Sequence, residues 1–117
     1  MEQQLSHINS IPLVLDVIDY SYKLNFPLEK STLGSYLVHL ESLFKEKYTV
    51  ERDRGESLQK AFFILTQYKL DSQSLREALL SLFFEQVALN NIATKRVVAI
   101  VESIVFNFPF FKTSFVP

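Results

Sequence analysis

Between Ile11 and Phe106 the chain alternates apolar stretches stepped by three and four residues with short polar breaks, and this spacing predicts amphipathic helices. The clearest stretch is 28–47, where Leu33, Tyr36, Leu37, Leu40, Leu43 and Phe44 share one face. At about 100° per residue, His39 lies roughly 100° from the middle of that stripe, on the border between core and solvent. The helix is expected to turn its leucines inward and keep the imidazole at its rim.

The other elements follow in order. Ser10 and Pro12 suit a helix start, because proline's missing N–H has no intrahelical duty in the first turn. The first helix is expected to run to about Lys23. Leu13, Val14, Val17, Ile18, Tyr20 and Tyr22 cover more than one stripe of it, Asp16 and Asp19 are expected to face water, and Asp19 and Lys23 to form a weak surface pair. Asn25-Phe26-Pro27 breaks the pattern, since the residue before a proline is pushed out of helical geometry. The second helix then begins near Leu28, with Glu29 in its first turn and Lys45 and Lys47 in its last, as the helix dipole favours. Residues 48–56 read as a charged loop turning at Gly55, with Arg52 and Arg54 as solvated charges interleaved with acids. Leu58, Ala61, Phe62, Leu65 and Tyr68, widened by Phe63 and Ile64, mark a third helix. Ser74 and Glu77 form a capping box that would start the fourth. In that helix Leu75, Leu79, Leu82, Phe83 and Val87, with Ala78, Leu80, Phe84 and Ala88, are apolar nearly all round, which predicts a place at the centre of a bundle or shared with a second subunit. Asn90-Asn91 is expected to end it or to cap the next helix. Residues 93–106 are rich in β-branched side chains, but Val97, Ile100, Val101, Ile104 and Val105 keep helical spacing and a lone strand would lack a partner, so a fifth helix is expected. The expected fold is all-α, one compact domain of about five helices, with residues 1–9 frayed.

Four phenylalanines, Phe106, Phe108, Phe110 and Phe111, surround Pro109 in an aromatic tail. Each is worth roughly 1.5–3 kcal/mol when buried, so the tail is expected to pack, on its own bundle or on a partner chain. These four are the candidate partner-binding residues.

Composition narrows the function. A chain of 117 residues is long enough for one core without staples. With no cysteine there is no disulfide or thiolate metal site, which fits a reducing, cytoplasmic setting. Twelve basic against 13 acidic side chains give a net charge of -1 with no long run of either sign, which argues against direct nucleic-acid binding or an anionic membrane surface. The first residues have no signal-peptide pattern, and no apolar run approaches the roughly 20 residues that span a bilayer. Two glycines cannot make a phosphate-cradling loop. Two histidines without cysteine make zinc sites of the usual kinds unlike anything here, and His7 reads as a loop residue. The helical carboxylates Asp16, Asp19, Glu41, Glu85 and Glu102 lack the Glu-x-x-His spacing of carboxylate-rich bundle metal sites. No catalytic constellation, metal or cofactor is expected.

One further pattern centres on the second helix. Eleven residues separate Leu28 from His39, Leu40 follows the histidine, and Leu43 and Phe44 supply an apolar pair, with Tyr36 in place of a leucine. On these residues the stretch 15–47 resembles the first half of the regulation domain of bacterial antiterminators and transcription activators controlled by the sugar phosphotransferase system. The second half is laid on that family more loosely, with 58–68 as its third helix, Glu77-Ala78-Leu79 opening the fourth and 89–103 as the last. The resemblance implies a dimerising helical bundle whose phosphorylation, by the phosphocarrier protein or a sugar permease component, shifts the dimer between forms, with His39 as the phospho-acceptor. The family's second histidine would fall near Val101, where there is none, and no Lys or Arg lies three or four residues from His39, which Ser35 and Ser42 flank instead. A stand-alone or degenerate regulatory domain is therefore implied. Read from the helix alone, His39 is a boundary residue, and the competing expectation is a small helical binding or inhibitor protein, such as an immunity factor or phage adaptor.

Overall fold

A computed structural model describes residues 9–48 and 55–106. Five helices form: α1 (Ile11–Lys23), α2 (Lys30–Lys47), α3 (Glu56–Gln67), α4 (Gln73–Ala88) and α5 (Thr94–Phe106). The chain is all-α, with no strand among the described residues, and the β-branched run after Ala93 is helix α5. Phe106 closes α5. Phe108, Phe110 and Phe111, like His7, Arg52 and Arg54, lie outside the described residues. The chain divides into two compact units, Met1–Arg52 with α1 and α2, and Asp53–Pro117 with α3 to α5.

In the first unit, Ser10 is the extended N-cap of α1, its hydroxyl accepting from the Leu13 N–H at 3.4 Å, with Pro12 in the first turn. Ile11, Val14, Leu15 and Ile18 are buried, and α1 packs against α2. The helix stops at Asn25, which takes a left-handed φ of 63° while the Phe26 N–H reaches back to the Ser21 carbonyl at 2.9 Å. Asparagine tolerates that conformation, and the back-bond satisfies a carbonyl that would otherwise be orphaned. Asp19 does not face water as expected; it is only 4% exposed. It borders the inner stripe beside Ile18, and Lys23 Nζ reaches its carboxylate at 3.0 Å, so the charge is buried with a partner. Helix α2 starts two residues later than its pattern suggested, with Glu29 as N-cap rather than first-turn residue and no side-chain cap bond. Tyr36, Leu37, Leu40, Leu43 and Phe44 are buried as their spacing requires. Tyr48, expected in a loop, is core: its ring stands edge-on to Phe44 with centroids 5.8 Å apart.

In the second unit, α3 is the helix that packs against both others. Its N-cap is Gly55 at φ 94°, and a Cβ there would lie 2.8 Å from Ile92 Cγ2 and 3.1 Å from Arg96 Cδ, so both backbone and space demand glycine. Phe62, fully buried, meets the Phe83 ring edge-on at 6.1 Å. The helix ends on Lys69 at φ 53°, with the Leu70 N–H bonding the Leu65 carbonyl at 3.0 Å and Leu70 itself buried. A left-handed lysine costs roughly 1–2 kcal/mol, offset by that burial and bond.

Two expectations for α4 are corrected. Its N-cap is Ser72, extended at φ -142°, with the Leu75 N–H donating to its hydroxyl at 3.4 Å. Ser74 lies inside the first turn, and Glu77 accepts a bond from Gln73 Nε2 at 3.1 Å instead of reaching back to a cap. Nor is α4 buried all round or central to its unit. Leu75, Leu79, Leu80 and Phe83 are buried, with Arg76 and Gln86, but Phe84 is 54% exposed and Val87 is also open. The helix ends at Asn90, left-handed at φ 59°, beneath a bond from the Asn91 N–H to the Gln86 carbonyl at 2.9 Å.

This placing of the cap is testable by urea denaturation. Ser72→Ala is expected to cost about 1 kcal/mol and Ser74→Ala well under half of that; the reverse order would restore the capping box at Ser74.

Candidate functional site around His39

Mid-helix position decides what surrounds His39. It sits in the third turn of α2, where every backbone N–H is taken by the helix itself, so nothing but side chains and water can serve a group attached to the ring. The imidazole is half-buried, at the border the wheel assigns to it. Tyr36 and Leu43, one turn before and after, are buried, whereas Val38 and Ser42 are exposed. Ser35, also one turn back, donates its hydroxyl to the Ser31 carbonyl at 3.2 Å. The nearest charged side chains along the helix, Glu41 and Lys45, are held to each other at 2.8 Å. His39 thus lies between buried Tyr36 and Leu43 on one side and exposed Val38 and Ser42 on the other.

Sequence reasoning missed the polar contacts that tie α3 to α5. The Thr66 hydroxyl donates to the carbonyls of Phe62 and Phe63 at 3.0 Å each, leaving its oxygen to accept from Ser103 Oγ at 3.3 Å. Arg96 Nη1 donates to Gln59 Oε1 at 2.9 Å. Both are structural links; their signal in the sequence is a polar residue one step from an apolar mark, too weak to act on. Among the described residues no group of three His, Asp or Glu side chains converges as a metal ion would need. No described helix is long and apolar enough to cross a membrane. Comparison of the chain with protein-family models, with curated proteins and with solved structures finds no match.

The electrostatics of this unit centre on α1. The hydrogen bond to Asp19, and then that carboxylate's charge, hold the Lys23 ammonium above the ordinary lysine value of 10.5, with smaller contributions from Tyr20 and Asp16. Lys23 Nζ also stands 5.6 Å over the Tyr20 ring. A lysine raised in the folded state stabilises it fully below the unfolded value and ceases to do so as pH climbs through the raised one. The stability gap between wild type and Asp19→Asn should therefore hold steady from neutral pH up to about pH 10 and shrink beyond it. Urea titrations at successive pH values check this, and a gap unchanged at about pH 12 would contradict the pairing.

Proposed function

We propose that this chain is a regulatory module that works by binding other proteins, with His39 as its phosphoryl acceptor, in the manner of the phosphotransferase-system regulation domains that residues 15–47 resemble. The observation that carries the reading is the setting of His39: half-buried, at the edge of the buried stripe that holds Tyr36 and Leu43 and beside exposed Val38 and Ser42, in the middle of an 18-residue helix. An all-α chain of five helices supports the same reading. In the transfer, a ring nitrogen of His39 attacks the phosphorus of a donor phosphohistidine. The donor's P–N bond breaks, its electron pair stays on the donor imidazole, and that imidazole takes up a proton as His39 gives one to water. The product carries about two added negative charges at position 39. Those charges change which surfaces α2 can dock against.

A second reading, a small helical binding or inhibitor protein that needs no phosphorylation, is favoured by the apolar side chains left open on α5, among them Val98, Val101 and Val105. One experiment separates the two. Incubated with the phosphorylated phosphocarrier protein, wild type is expected to take up label that is stable to base and lost in acid, and His39→Ala, checked for unchanged helix content, to take up none. Equal labelling of both, or none in wild type, would remove His39 from the account and leave the binding protein.

A further inference from the structure

We draw no further inference here: the strongest candidate, the open apolar face of α1 formed by Leu13, Tyr20 and Leu24, carries nothing because nothing among the described residues shows what covers it.

Discussion

A helix of 12 to 18 residues does not hold its shape in water on hydrogen bonds alone, because the turn that nucleates it costs more than its early bonds return. Each helix here depends on laying one apolar stripe against another. In the first unit the partners are α1 and α2, with Phe44 and Tyr48 closing the end of α2. In the second, α3 lies against both α4 and α5, with Phe62 edge-on to Phe83. The polar bonds follow from that packing: Thr66 and Ser103 meet because α3 and α5 have been brought together, and Asp19 keeps its charge while buried because Lys23 lies one turn on. Loss of the stripes would leave these polar pairs with nothing to position them.

The reading of the sequence succeeded where the physics is local. Pro27, Gly55 and Asn90 each forbid or end a helix through their own backbone, and each break falls where they stand. The stripe of α2 was legible because five of its marked residues share one narrow face. The errors lie where two local solutions compete. Ser72 and Ser74 both offer a capping hydroxyl, and the capping-box pattern favours the second, but the left-handed turn at Lys69 and the burial of Leu70 deliver the chain to the helix two residues sooner. Asp19 was assigned to water by its charge, although its place on the wheel sets it beside Ile18. An apolar count around α4 suggested burial on all sides, but only neighbours can bury a face, and Phe84 and Val87 have none that cover them. For His39, its border position was legible from spacing, whereas the bonds of Ser35 to the Ser31 carbonyl and of Glu41 with Lys45 needed the folded helix.

Helix α2 carries His39 at the rim of its buried stripe, and α1 carries Leu13, Tyr20 and Leu24 open on a face away from its buried one. A chain that keeps 50–65% of Leu13, Tyr20 and Leu24 in water accepts a standing aggregation risk.

The division of α1 between a buried and an open face is tested most directly by paired truncations, measured by urea unfolding at dilute protein concentration. Ile18→Ala, on the buried face, should cost about 2–5 kcal/mol, and Leu13→Ala, on the open face, no more than about 0.5 kcal/mol. Comparable losses at the two positions would mean that both faces are spent on the fold, and the account of α1 would fail.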